Sequence, residues 1–201
     1  MGRWAPDAAG RLQAAAVELF VDQGFAATTV PQIAARAGLT TRTFFRHYTD
    51  KRDVLFSGEE ELPDVVAQVF SQAAPDLSPI DVVMHGLQTV IAPRLQDHHA
   101  DLRTRRDIVR SDKGLQERDA YKLASLGHAA TAGFTDRGLS PLYAATAASI
   151  AVGVYDIAVN LWLDGDGTPT LTDAVTTARD ALELIVSWPP MGNRVAPGRE
   201  P

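Results

Sequence analysis

Cysteine is absent from this chain. That excludes a disulfide framework, a thiolate nucleophile and any zinc or iron–sulfur site built on sulfur, and it leaves the compartment undetermined by redox chemistry. Long apolar runs are also missing. None approaches the roughly 18 residues of a membrane span, and Met1 to Gly10 has no apolar core behind Arg3, so neither a membrane partner nor a secretory signal is expected. A soluble, cytoplasmic protein is the expectation.

The motifs of common enzyme chemistry are lacking as well. There is no Gly-rich phosphate loop of either common pattern, no G-x-S-x-G elbow and no H-E-x-x-H helix, and the thiol routes are closed. Glu59, Glu60 and Glu61 read as a solvated helix start rather than an acid–base pair. His98 and His99 are adjacent, so a helix points them about 100° apart, which argues against a shared metal. No enzyme activity, cofactor or metal is expected.

What is present is an ordinary globular composition: 201 residues, 45% hydrophobic and 22% charged, with a net charge of −6. The charge is unevenly placed. Residues 1–56 hold seven basic and five acidic side chains, a balance of +2, and the remainder carries −8. Two parts with different partners are implied.

Leu12, Ala16, Leu19 and Phe20 follow the i, i+4, i+7, i+8 spacing of a helix lying on a core, and Gly24 is a suitable left-handed stop. Thr29 begins a second helix, with Gln32 as capping-box partner, Pro31 tolerated in the first turn, and Val30, Ile33, Ala34 and Ala37 as its buried face. Gly38 ends it, and Thr40 caps a third helix through about Tyr48. Two helices joined by a short glycine-containing turn form a helix-turn-helix. Phe44 and Tyr48 are four apart and face the core, which leaves Thr41, Arg42, Thr43, Phe45, Arg46 and His47 on the outward arc.

The stretch TTVPQIAARAGLTTRTFFRHYTDKRDVLF, residues 28–56, resembles the N-terminal DNA-binding domain of the TetR family of bacterial transcriptional repressors. AAAVELFVDQGF, just before it, looks like that family's first helix. The resemblance covers about a quarter of the chain and implies that helix three lies in the major groove of double-stranded DNA. Thr41, Arg42, Thr43, Phe45 and His47 match the usual contacts, with Thr29 and Lys51 on flanking phosphates. Arg42, near the helix N-terminus, is suited to a forked bond to guanine O6 and N7 and is the candidate for specificity. Two positions depart from the family pattern: Phe45 stands where many relatives carry a phosphate-reaching tyrosine, and Arg42 where relatives often have a small residue. Arg46 reads equally well as solvated.

The remaining chain reads as helices over 63–74, 79–98, 101–111, 114–137, 140–164 and 170–188, with a further helix starting at Asp50 to link the two parts. The expected fold is all-α: a three-helix helix-turn-helix DNA-binding domain over 1–56, a helical ligand-binding and dimerisation domain over 57–188, and a disordered tail over 189–201. The resemblance implies a homodimer through the last two helices, about 140–164 and 170–188, on a palindromic operator. The small residues of 140–164 also suit packing within one subunit. Val66, Phe70, Met84, Leu87, Leu126, Phe134, Tyr155 and Trp162 are candidate walls of an inducer pocket, each of them equally a core residue. Arg103, Arg105, Arg106 and Arg110 suit either an anionic ligand group or a solvated helix face. The functional expectation is a ligand-responsive regulator, a repressor released from its operator by a small-molecule inducer. The alternative is a dimeric small-molecule carrier whose DNA reader has weakened.

Overall fold

The computed structural model describes residues 7–57 and 61–188, which are helical with no strand among them. The expected tail and the side chains of Glu59 and Glu60 lie outside the described residues.

Helix α1 (Ala8–Gln23) buries Leu12, Ala15, Ala16, Leu19 and Phe20, and ends where Gly24 adopts φ 85° and returns its N–H to the Phe20 carbonyl at 3.1 Å. Helix α2 (Val30–Arg36) starts at Thr29, whose N–H donates to Gln32 Oε1 at 2.8 Å. Gly38, at φ 65°, closes it by letting the Leu39 N–H reach the Ala34 carbonyl at 2.8 Å. The Arg11 guanidinium donates to the Ala37 carbonyl and ties α1 to this turn. Helix α3 (Thr41–His47) is capped by Thr40, whose hydroxyl oxygen accepts from the Thr43 N–H at 3.1 Å. Leu12, Ile33 and Phe44 are fully buried where the three helices meet.

No helix begins at Asp50, contrary to expectation. Residues 50–57 form turns, with the Asp50 carboxylate accepting from the N–H groups of Arg52 (2.7 Å) and Asp53 (3.2 Å). Val54, Leu55 and Phe56 are all buried. Helical steps of about 100° would swing three consecutive side chains around the axis, so successive turns bury this run better than one helix face. The next helix, α4, runs Leu62–Gln72.

Beyond it come α5 (Pro79–Gly86), α6 (Ala92–Leu95), α7 (His99–Arg110), α8 (Lys113–Asp136), α9 (Pro141–Asp164) and α10 (Leu171–Val186). The single helix expected over 79–98 is broken. Leu87–Ile91 is a π segment, in which Ala92 donates to the Leu87 carbonyl, and Gln96–His98 is a 3₁₀ turn. Pro93 accounts for the widening: it has no N–H to offer Thr89, and its ring crowds that carbonyl. Arg94 Nη1 meanwhile donates to the Val90 carbonyl at 2.5 Å.

Two buried clusters result. The larger joins α5, α8, α9 and α10 around Val82, Phe134, Trp162 and Leu171. The smaller is the core of the helix-turn-helix, and it extends past residue 56 to take in Ile108 of α7 and Leu115 of α8, the latter fully buried. The helix-turn-helix is therefore seated directly on the second half of the chain.

Helix α9 qualifies the expectation of no spanning segment: Pro141–Asp164 is continuous, and by length and composition it is apolar enough to cross a membrane. Here Ala144, Ala148, Val154, Ala158, Trp162 and Leu163 are buried against the same chain. Its small residues thus serve the subunit's own core on one face. On the others, Leu142, Tyr143, Ile157 and Leu161 are exposed.

Candidate nucleic-acid interface and ligand cavity

Helix α3 presents two faces. Phe44 and Tyr48 turn inward, and the Tyr48 hydroxyl donates to the Ala9 carbonyl at 3.1 Å. Thr41, Arg42, Phe45, Arg46 and His47 are exposed, with Phe45 60% accessible and its ring edge-on to Phe44 at 5.4 Å. An apolar ring held out in water beside two arginines is suited to a thymine methyl but offers a phosphate no hydrogen bond. Thr43 is half-buried, and its hydroxyl lies 3.0 Å from that of Thr40. His47 Nε2 sits 3.3 Å from Arg46 Nη2 and borders a groove of about 450 Å³ between the reader and α8.

Thr29 is exposed and hydrogen-bonded to Gln32 Oε1 through its hydroxyl at 2.9 Å, so capping and an outward position coexist. Lys51 is different. Its ammonium donates to the carbonyls of Phe25 (2.6 Å), Ala26 (3.3 Å) and Thr28 (2.8 Å) and lies 4.3 Å from the centre of the Phe25 ring. Burial lowers its pKa, and Asp112 and Asp50 oppose that shift. The ammonium's hydrogen bonds go to the loop between α1 and α2, whereas the resemblance places Lys51 on a flanking phosphate. Thr28, buried in the same loop, donates its hydroxyl to the Gly24 carbonyl at 2.9 Å. Sequence reasoning missed this lock, since a lysine at the surface of a reader has the same residue signature whichever way it turns.

The second half of the chain lines an open apolar cavity of about 180 Å³. Of the expected wall residues, Val66, Phe70, Leu87, Leu126, Phe134 and Tyr155 line it. Met84 and Trp162 do not: both are buried in the core away from the cavity, and Trp162 packs edge-on against His99 at 4.7 Å. Helix α4 forms one wall because glycines admit it closely. A Cβ on Gly133 would lie 2.4 Å from the Phe70 ring, and one on Gly86 would lie 2.2 Å from Val69 Cγ1. Leu62 and Leu126 border both this cavity and the groove beside His47.

The arginine run proves to be a clamp. Arg103 Nη1 donates to the Gly165 carbonyl at 3.0 Å, Arg106 to those of Asn160 and Leu163 at 3.2 Å each, and Arg110 Nη2 to Asn160 Oδ1 at 2.9 Å. Arg106 also pairs with Asp164 at 2.8 Å. The Leu163 and Gly165 carbonyls lie at the C-terminal end of α9, where a helix leaves its last carbonyls without internal donors and its dipole favours cations. Three of the four arginines are thus occupied in holding α7 to α9, and Arg105 takes no part. Among the described residues no group of three or more His, Asp or Glu side chains could hold a metal.

An outward-facing second helix on a glycine turn, joined to an all-α body with an apolar cavity, defines a helix-turn-helix fold with an appended helical body. Residues 12–57 match the family model of bacterial regulatory proteins, tetR family. No curated protein sequence matches this chain. Solved structures share its fold along most of the chain. FadR of Thermus thermophilus, a TetR-family transcriptional repressor in complex with lauroyl-CoA, is 22% identical with a TM-score of 0.55, over 96% of this chain and 98% of that one. The fatty acid degradation regulator FadR of Bacillus halodurans is 18% identical with a TM-score of 0.58, over 93% and 98%. SmeT, the repressor of a Stenotrophomonas maltophilia multidrug efflux pump, is 18% identical with a TM-score of 0.55, over 89% of each chain.

Proposed function

We propose that the protein is a ligand-responsive transcriptional repressor, which binds a palindromic operator as a homodimer and is released when a small, largely apolar inducer fills the cavity. The observation that carries this reading is the two-faced α3, locked inward by Phe44 and Tyr48 while Thr41, Arg42, Phe45 and His47 stand free to meet DNA. Arg42 reads a guanine and Thr29 sets register on a phosphate. A reader with a charge of only +2 neutralises few phosphates, so two copies on two half-sites are needed for tight binding.

The exposed apolar side chains of α9 (Leu142, Tyr143, Ile157, Leu161) and α10 (Leu184, Ile185) support dimerisation through those helices. The cavity supports an inducer, and the relative bound to lauroyl-CoA shows that this fold can hold a molecule with a long apolar part. Release requires that the inducer prefer the DNA-incompetent arrangement, because equal affinity for both would shift nothing. Helix α7 is a direct route for that preference: Arg106 holds it to α9, and Ile108, two residues on, is buried in the reader core.

Selection of bound duplexes from a random pool at a stated moderate salt tests the reading. A palindrome with half-sites about one helical turn apart is expected. A folded dimer that enriches no sequence would overturn the DNA-reading role and leave the carrier alternative.

A further inference from the structure

Among the described residues the cavity wall contains two side chains with a polar atom, Arg94 and Tyr155. The fold already uses Arg94: Nη1 donates to the Val90 carbonyl and Nη2 to Gln68 Oε1, each at 2.5 Å. Tyr155, on α9, is different. Its hydroxyl makes no hydrogen bond to any described residue. Tyr155 is half-buried, and burial raises its pKa, with Lys122 opposing and Asp119 and Asp156 adding, so it keeps its proton at neutral pH and remains a donor.

A phenol on an apolar wall without a partner is short of a hydrogen bond, and tyrosines in such surroundings ordinarily find one. Water is a poor candidate here, since an ordered buried water needs two to four polar partners and this wall offers one uncommitted group. A ligand that is apolar throughout would fill the volume and leave the hydroxyl unpaired. A ligand with one acceptor would satisfy both.

We infer that Tyr155 is the specificity-determining residue of the cavity, donating its O–H to a single acceptor oxygen, of the carbonyl, ester or ether kind, on an otherwise apolar ligand. This rests on the reading of the cavity as the inducer site. Neighbouring residues fit the assignment: Phe70 and Phe134, edge-on at 4.9 Å, and Leu126 give the apolar body of such a ligand its contacts. Sites built to pair one polar group reject the analogue that lacks it more strongly than apolar pockets reject an extra methylene.

The test uses the full chain and two probes on the same carbon skeleton, butyrophenone and butylbenzene, titrated by calorimetry against the wild type and Tyr155→Phe. Each affinity is corrected for the probe's own transfer from water to hydrocarbon. The substitution should weaken butyrophenone by about five-fold and leave butylbenzene unchanged or slightly tighter, as expected for one neutral hydrogen bond. In the wild type alone, the carbonyl stretch of bound butyrophenone should sit below its value in hydrocarbon, a readout independent of how the variant folds. If both probes bind but the ketone has no advantage and an unshifted carbonyl, the role of Tyr155 is overturned while the cavity stands as a ligand site. If neither binds, the inducer-site reading fails and takes this inference with it.

Discussion

The ammonium of Lys51 lies 4.3 Å from the centre of the Phe25 ring and donates to the Phe25 carbonyl at 2.6 Å. One side chain thereby gathers the loop that joins α1 to α2 and sets the angle at which the reader leaves α1. Hydrogen bonds from charged donors contribute about 1.5–3 kcal/mol each at most, and these share one ammonium. Lys51→Met is therefore expected to destabilise the protein by about 2 kcal/mol in urea unfolding. A phosphate ligand would instead reveal itself in the salt dependence of operator binding, where its loss lowers the slope by about one. An unchanged slope is expected.

Arg42 is exposed at the start of α3 and has no structural duty among the described residues. Arg42→Ala should leave stability within about 0.5 kcal/mol of wild type. Operator recognition should suffer at one base pair of each half-site, by about 1–3 kcal/mol of discrimination, with other positions unaffected. Affinities for single-base operator variants, measured side by side, check this. A uniform loss across all of them would make Arg42 a phosphate contact.

Arg106 donates to the Asn160 and Leu163 carbonyls and pairs with Asp164, with its side chain only 13% exposed. Arg106→Met keeps the packing and removes the donors, leaving the end of α9 uncapped. A loss of about 2–3 kcal/mol is expected in chemical denaturation. Because α7 also seats the reader through Ile108, hydrogen exchange should speed up in α3 as well as at 160–165.

Asp50 gives the protein an acid-sensitive element. Burial pushes its pKa up, but bonds from the Arg52 side chain and from the N–H groups of Arg52 and Asp53 outweigh this and hold it below the ordinary 3.8. A carboxyl depressed on folding stabilises fully above its unfolded pKa and loses that contribution as pH falls through the folded value. The stability gap between wild type and Asp50→Asn is thus expected to be full at neutral pH and to close below pH 3.8. Parallel thermal melts across that range decide it, and a gap that persists in acid would show that the carboxylate charge is not what matters.

Much of this molecule was legible in its residues. The stops at Gly24 and Gly38, the caps at Thr29 and Thr40, and the inward pair Phe44 and Tyr48 are local matters, governed by backbone freedom, side-chain reach and the helical period. Those features specify the helix-turn-helix and the outward arc of α3 without any distant contact, and the long helices α8, α9 and α10 follow from the same period.

Tertiary structure decided what long side chains touch and which surfaces meet. A lysine reaches more than 5 Å in many directions, so only the assembled loop reveals that Lys51 spends its protons on carbonyls at 25–28. The same holds for the arginines of α7, which in sequence suit a solvated helix face or an anionic ligand group and in space meet the open end of a helix some 60 residues away. Burial on both sides of the reader core needed Ile108 and Leu115, which no pattern within residues 1–56 could announce. Trp162 and Tyr155 share one face of α9, two turns apart, yet different neighbours along that face send the first into the core and the second to a cavity wall. Local periodicity determines which elements form, whereas the partner that satisfies each polar group is chosen only when distant segments pack.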